Sequence, residues 1–147
     1  MYGFLLLLHI LAATIWTGGH LVLALVILPR VLREKDVAGI RRFESGYERI
    51  GIPALLVQVA TGLWMAHRLV PDVSLWFDLS NPVSRPIAAK LTLLGLTVLL
   101  AADARLRIIP RLSEKNLVSL AVHIVPVTIV AVLFVVVGVS FRTGWLF

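Results

Sequence analysis

The chain has 147 residues, of which 59% are hydrophobic and 15% are charged, with a net charge of +6 and no cysteine. Soluble domains usually contain about 25% charged residues, so this composition argues against a soluble protein. The basic residues flank apolar segments, which is typical of membrane topology signals and argues against nucleic-acid binding. The absence of cysteine excludes disulfides, thiolate metal sites, iron–sulfur clusters and covalently attached c-type haem.

Four apolar segments follow one another along the chain, and each approaches the roughly 20 residues that a helix needs to cross a bilayer. We predict spans at about residues 2–28, 50–69, 87–109 and 117–141, joined by polar connections. Helices joined by short connections usually pack as antiparallel neighbours. The sequence therefore predicts a single all-α domain, residues 1–147, folded as an integral membrane four-helix bundle with up-down-up-down topology.

Basic residues are concentrated around the first and third connections. Six lie between residues 30 and 49, and those that flank the third connection are Arg105, Arg107, Arg111 and Lys115. The positive-inside rule places these two connections in the cytoplasm, and it places both termini and the connection of residues 71–86 on the opposite side. We therefore expect a multi-pass protein of the cell inner (plasma) membrane that is surrounded by the lipid bilayer.

Ionisable side chains at membrane depth are costly, so each is a candidate functional residue. His9 and His20 lie about three helical turns apart in the first span, on nearly the same helix face and separated by roughly 16 Å of rise. Trp16 lies on that face between them and is a candidate cofactor contact. Gly18 and Gly19 thin the helix, which allows a neighbouring helix or a flat cofactor to approach closely.

Antiparallel topology sorts the other intramembrane residues by depth. His67 and Lys90 lie near the outer level of His9, whereas His123 lies at the inner level of His20. Two imidazoles that face each other across a bundle are the usual axial ligands of a membrane b-type haem. The sequence therefore predicts haem b with His9 as an axial ligand. Two haems, held by His9 with His67 and by His20 with His123, and a single haem with a different role for the other level both stay open.

Structural interpretations of the same residues stay open as well. His20 and His123 are also suited to hydrogen bonding between helices, and His67 is suited to the headgroup zone. Asp103 is predicted to pair with Arg107, which lies one helical turn further along the same span.

Three cations near the outer ends of the spans have two interpretations. Arg68, Arg85 and Lys90 are placed to pair with the propionates of a haem bound at the outer level. The long side chain of Lys90 can instead extend to the membrane interface and leave its charge in water.

Short motifs along the chain form an ordered set: His9, Trp16-Thr17-Gly18-Gly19, Pro29-Arg30, Gly39-Ile40-Arg41-Arg42-Phe43, Thr61-Gly62, Ala89-Lys90-Leu91 and Val125-Pro126-Val127. In order and spacing, these motifs resemble the CopD-type copper-resistance membrane domain and its relative, the HemJ-type protoporphyrinogen oxidases. The resemblance covers nearly the whole chain and agrees with both families in length and number of spans.

The resemblance implies a four-helix membrane protein that binds haem b. In it, His9 and Lys90 match the functional His and Lys of the HemJ family, so they are the candidate catalytic residues if the protein is an oxidoreductase. The chain departs from the HemJ pattern at Val31-Leu32-Arg33, Ala101 and Ile124, where that family carries an aromatic residue with His, a His and an acidic residue. The histidines outside that pattern are His20, His67 and His123.

Four functions fit these observations. The first is a haem b membrane redox protein that transfers electrons within the bilayer, to quinone or to another redox membrane protein. The second is a copper transport or resistance protein that uses the same four histidines. Cu(I) sites usually contain sulfur, and Met1 and Met65 are the only sulfur-containing residues, which argues against copper. The third is a HemJ-like protoporphyrinogen oxidase, and the fourth is a structural membrane subunit. A homo-oligomer is compatible with each.

Overall fold

The computed structural model describes residues 1–146, and most of them lie in four long helices. These helices are α1 (Tyr2–Glu34), α2 (Val37–Leu69), α3 (Ser84–Arg111) and α4 (Glu114–Thr143). Each is long and apolar enough to cross a membrane, and no strand occurs within residues 1–146. The predicted all-α fold with four membrane-spanning helices is confirmed.

The connection between α1 and α2 is shorter than the sequence predicted. α1 continues to Glu34, and Lys35 then adopts a left-handed conformation with a φ of 54°. The side chain of Asp36 caps α2 by accepting a hydrogen bond from the backbone N–H of Gly39 at 2.8 Å. Residues 37–49, which the sequence analysis assigned to a connection, are therefore helical. Hydropathy marks the part of a helix that lies in lipid, so it misses charged turns that continue beyond the apolar segment.

Side-chain contacts show that α1 and α2 are antiparallel. His9, near the start of α1, hydrogen-bonds Thr61 in the second half of α2. His20, further along α1, contacts Tyr47, which lies in the first half of α2. α3 and α4 are antiparallel as well. Asp103 near the end of α3 contacts His123 near the start of α4, and Lys90 near the start of α3 lies beside Gly138 near the end of α4.

α1 also packs against α4. The Thr17 hydroxyl donates to the Ala131 carbonyl at 3.3 Å, and the Thr128 hydroxyl donates to the His20 carbonyl at 3.2 Å. The bundle therefore changes direction at every helix, as predicted. Its principal interfaces join α1 to α2, α1 to α4 and α3 to α4, whereas α2 and α3 face each other across a cleft.

Buried apolar side chains close both ends of the bundle. At the end with the two short connections, which we call the loop end, this cluster comprises Leu28, Val31, Ile40, Leu112, Leu117, Leu120 and Ile124. At the opposite end, which we call the terminal end, Trp76 packs with Val70 and Ile87. The Trp76 indole donates to the Val70 carbonyl at 2.8 Å, so this residue is a buried anchor of the connection between α2 and α3.

Large apolar side chains point outward along all four helices. Leu25, Leu56, Leu99 and Val118 are each more than 60% exposed. Side chains of this kind are favourable in lipid and would be costly in water. The outer surface of the bundle therefore has the character of a multi-pass membrane protein.

Candidate cofactor site

A cavity of about 610 Å³ lies in the loop-end half of the bundle, and all four helices contribute to its lining. We call it the inner cavity. Its volume lies within the range of about 300–1,000 Å³ that is usual for cofactor and ligand sites. Its walls are mostly apolar, and the polar side chains that line it are Trp16, His20, Glu44, Tyr47, Glu48, Thr97, Arg105 and His123.

Two π-helical segments lie at the level of this cavity. One covers Leu23–Ile27 in α1, and the other covers Ala104–Ile108 in α3. Each contributes to the cavity lining, through Leu23 and through Ala104 with Arg105. A π-bulge inserts one extra residue into a helical turn and is frequent at functional sites.

His20 is buried and presents one ring nitrogen for binding. Its Nδ1 lies 2.9 Å from the Trp16 carbonyl, and since a carbonyl can only accept, Nδ1 carries the proton. In a neutral ring Nε2 therefore keeps its lone pair, and no group within residues 1–146 hydrogen-bonds it. A histidine that donates from one nitrogen to a carbonyl and keeps the other for a metal is the usual metal-binding arrangement.

His123 lines the same cavity, but both of its ring nitrogens are engaged. Nδ1 lies 2.9 Å from the Ser119 carbonyl, and Nε2 lies 2.7 Å from the Asp103 carboxylate. Because oxygens of the protein occupy both ring nitrogens, neither nitrogen is left for a further ligand. Asp103 also accepts from Arg107 at 2.9 Å, which confirms the predicted Asp103–Arg107 pair. His123 must leave Asp103 before it can act as a ligand.

Charged side chains lie where the cavity approaches the loop end. Glu48 of α2 and Arg105 of α3 form an ion pair that crosses the cleft. Glu44 lies one turn before Glu48 and also lines the cavity. The ion pair is the polar contact that joins α2 to α3 at this level.

His9 has a comparable hydrogen bond in the terminal-end half of the bundle. Its Nδ1 lies 2.9 Å from the Thr61 hydroxyl, which donates its own proton to the Val57 carbonyl at 2.6 Å. The His9 Nδ1–H is therefore the donor to Thr61, and Nε2 keeps its lone pair. The ring lies against Gly62, where an added Cβ would be 3.2 Å from the ring carbon Cε1. His9 is not part of the inner cavity lining.

Lys90 lies close enough to His9 for electrostatic interaction. Its Nζ lies beside Gly138 of α4, 3.6 Å from the position that a Cβ would take there. No carboxylate within residues 1–146 forms an ion pair with Lys90. The Lys90 ammonium therefore lies against α4 inside the bundle, within electrostatic range of His9.

The other predicted outer residues lie away from His9. His67 is exposed and lies six residues beyond Thr61, which corresponds to about 9 Å of helix rise. Arg68 is also exposed, with its guanidinium 5.5 Å from the centre of the Trp64 ring. Arg85 is exposed and donates from Nε to the Leu79 carbonyl at 2.7 Å. The structure therefore does not bring His67 or these arginines to His9.

The donor groups can be tested against the two cofactors that the sequence suggested. Within residues 1–146, no group of three or more His, Asp or Glu side chains is close enough to share a metal ion. A closed copper site, which needs several ligands, does not fit this arrangement. A haem needs one or two axial ligands and an apolar space, and His20 with the inner cavity fits that requirement.

Sequence reasoning missed Tyr47, Glu48 and the cleft between α2 and α3. Tyr47 and Glu48 lie in the segment that hydropathy assigns to the first connection, so hydropathy did not indicate that they belong to the helical bundle. The signal that could have located Tyr47 is Gly19, which leaves space for a large side chain beside His20.

The fold and these histidines define a four-span integral membrane protein with a candidate cofactor cavity in its loop-end half. The family model of copper resistance protein D (CopD) matches residues 41–141, which is more than two thirds of the chain. The protein belongs to this family. No curated protein and no solved structure matches the chain.

Proposed function

We propose that this member of the copper resistance protein D family is a haem b-binding membrane redox protein. In this proposal the inner cavity would hold the haem, and His20 would bind its iron through Nε2. The observation that carries the proposal is the combination of a largely apolar cavity of about 610 Å³ with a buried histidine whose Nε2 lone pair is not used within the protein.

The surroundings of His20 suit an axial ligand. Its Nδ1–H bond to the Trp16 carbonyl orients the ring and increases the basicity of Nε2. The apolar walls keep water away from the site, and this influences the reduction potential of a bound haem. Arg105 also lines the cavity and is paired with Glu48. It can release Glu48 and pair with a haem propionate instead.

A bound haem would supply one-electron transfer. Because the cleft lies between two helices that are long and apolar enough to span a membrane, a membrane quinone or another redox membrane protein is the proposed electron partner. His9 and Lys90 are the proposed site for a second haem or for a separate role at the outer level. We propose that the loop end faces the cytoplasm, and a reporter fused to either terminus that is active only in the cytoplasm would contradict this.

Copper handling is the second candidate, and the family match favours it. Three features argue against a tight copper site: the absence of cysteine, the presence of only two methionines, and the lack of a three-ligand cluster within residues 1–146. The histidines can bind copper, so this candidate predicts weak binding by individual imidazoles.

One set of measurements on the detergent-purified full chain separates these candidates. We expect a Soret band, a b-type pyridine haemochrome and iron at one or two atoms per chain, with haem extractable by acidified solvent. Copper bound in the absence of iron would support the copper candidate and overturn the haem proposal. Colourless, metal-free protein from haem-replete cells would remove both.

A further inference from the structure

Tyr47 occupies a notch in the surface of α1. A Cβ added at Gly19 would overlap the Tyr47 ring, so only glycine allows this approach. Phe43, one turn earlier on α2, stacks on Tyr47 with ring centres 5.8 Å apart and planes inclined by 13°. On the following turn, Gly51 lies so close that its Cβ would be 3.0 Å from the ring. The ring therefore has little freedom to move.

The Tyr47 hydroxyl joins the hydrogen bond that sets the protonation of His20. It lies 2.9 Å from the Trp16 carbonyl oxygen and 3.3 Å from His20 Nδ1. The Trp16 carbonyl, which also belongs to the backbone hydrogen-bond ladder of α1, is approached by two side-chain donors, the Tyr47 O–H and the His20 Nδ1–H. The oxygen of Tyr47 faces Nδ1–H with its own lone pair, so the Trp16 carbonyl and the Tyr47 hydroxyl both favour the proton on Nδ1.

Aromatic contacts hold the His20 ring on two sides. Its centre lies 4.4 Å from the Trp16 ring and 5.6 Å from the Tyr47 ring. The Tyr47 contact is edge-on, with an angle of 84° between the planes, which is a favoured aromatic geometry. Rotation of the imidazole would displace one of these neighbours.

We propose that Tyr47 is a positioning residue for His20. Seated against Gly19, it keeps the imidazole in the Nδ1–H form, with the Nε2 lone pair left for a ligand in the inner cavity. This inference rests on the proposed function for the identity of that ligand, whereas the orientation and protonation of His20 are properties of the chain itself.

The chain offers a matched control for each residue of the contact between Tyr47 and Gly19. Tyr47→Phe keeps the ring and removes the hydroxyl, and Tyr2→Phe makes the same change at an exposed tyrosine. Gly19→Ala displaces Tyr47, whereas Gly18→Ala adds a methyl group where nothing lies within 4 Å. A purely structural role for Tyr47 predicts that Tyr47→Phe behaves like Tyr2→Phe.

The first test measures which ring nitrogen of His20 carries the proton, and it needs no haem. The full chain is labelled with ¹⁵N-histidine, expressed without added haem, and studied in detergent at a pH where imidazole is neutral. The His20 signals are assigned by their loss in His20→Ala. We expect an Nδ1–H ring in the unmodified protein and in both controls, and an increased Nε2–H population in Tyr47→Phe and Gly19→Ala. An unchanged His20 in both variants would overturn the inference.

The second test measures haem affinity and midpoint potential in the same four variants. Loss of a group that orients a metal-binding histidine typically lowers affinity by about 10–100-fold. We expect a loss of this size in Tyr47→Phe and Gly19→Ala and values near the unmodified protein in both controls. If haem does not bind any variant while the tautomer of His20 changes as expected, the proposed function fails and the positioning role stands.

Discussion

The inner cavity at His20 can be compared with the group formed by His9, Thr61 and Lys90, which we call the outer cluster. The two histidines share one hydrogen-bonding pattern, but only His20 borders the cavity. Each histidine donates from Nδ1 to an oxygen and leaves Nε2 unused. His20 lines a cavity of about 610 Å³, whereas His9 lies against Gly62 with Lys90 nearby. A histidine whose Nε2 is available for a metal is therefore not sufficient to define a haem site. A planar cofactor also needs an apolar cavity next to that nitrogen. A cation near the ring gives His9 a different electrostatic setting from that of His20.

The largest effect that separates the two regions should come from removing each histidine in turn. We expect His20→Ala to lower the affinity of the inner cavity for haem by more than tenfold, because loss of a ligand exceeds the roughly 10–100-fold effect of losing its hydrogen-bonding partner. His67→Ala is the matched control, since His67 is exposed. Pyridine haemochrome per chain is the measurement.

His9→Ala decides whether the outer cluster binds haem as well. A stoichiometry near two in the unmodified protein that falls to about one in His9→Ala would support two haems, and roughly 16 Å of helix rise between them would allow electrons to cross the membrane. A stoichiometry near one that is lost in His9→Ala and kept in His20→Ala would move the haem to the outer cluster and contradict the proposed position.

Filling the inner cavity tests the role of space without touching a histidine. Val98 lines the cavity and is 54% exposed, so Val98→Trp can place its ring in the cleft between α2 and α3. We expect haem binding to weaken by about 1–3 kcal/mol, the usual cost of overpacking. Leu99→Trp is the control, because Leu99 is 69% exposed and lies outside the cavity lining. Equal haem titration curves for the two variants would show that haem does not enter this cleft.

Thr61→Val should affect the outer cluster and leave the inner cavity unchanged. Valine has nearly the shape of threonine but cannot accept the Nδ1–H of His9, which leaves a polar group unsatisfied. We expect a loss of about 1–3 kcal/mol in the free energy of unfolding in mixed micelles. Thr14→Val is the comparison, because the exposed Thr14 hydroxyl bonds only the Ile10 carbonyl of its own helix. A change in the His20-dependent haem spectrum in Thr61→Val would show that the two regions are coupled.

The smallest effect should come from the ion pair across the cleft. Glu48 and Arg105 are partly exposed, so Glu48→Gln should reduce the free energy of unfolding by at most about 1 kcal/mol, and less at high salt. Glu114→Gln makes the same change at an exposed position. A loss well above that size, independent of salt, would mean that the ion pair closes the inner cavity and is shielded from water.

Some site features follow from local sequence rules. Asp103 and Arg107 pair because residues four apart meet on one helix face, and this required no knowledge of the fold. The shared level of His20 and His123 followed from counting residues between span ends in an antiparallel bundle. Counting also placed His67 near the level of His9, but in the structure His67 is exposed and Thr61 is the residue that contacts His9.

Hydropathy and helix lengths by themselves determined the four spans and the alternating helix directions, and the ordered motifs indicated the family that matches residues 41–141. Only the tertiary structure decided that Asp103 engages His123, that Tyr47 fits against Gly19, and that α2 and α3 leave a cavity beside His20. The physical reason is that hydropathy and helical spacing describe each helix separately. The meeting of side chains from different helices depends on rotation and tilt, which packing between the helices sets.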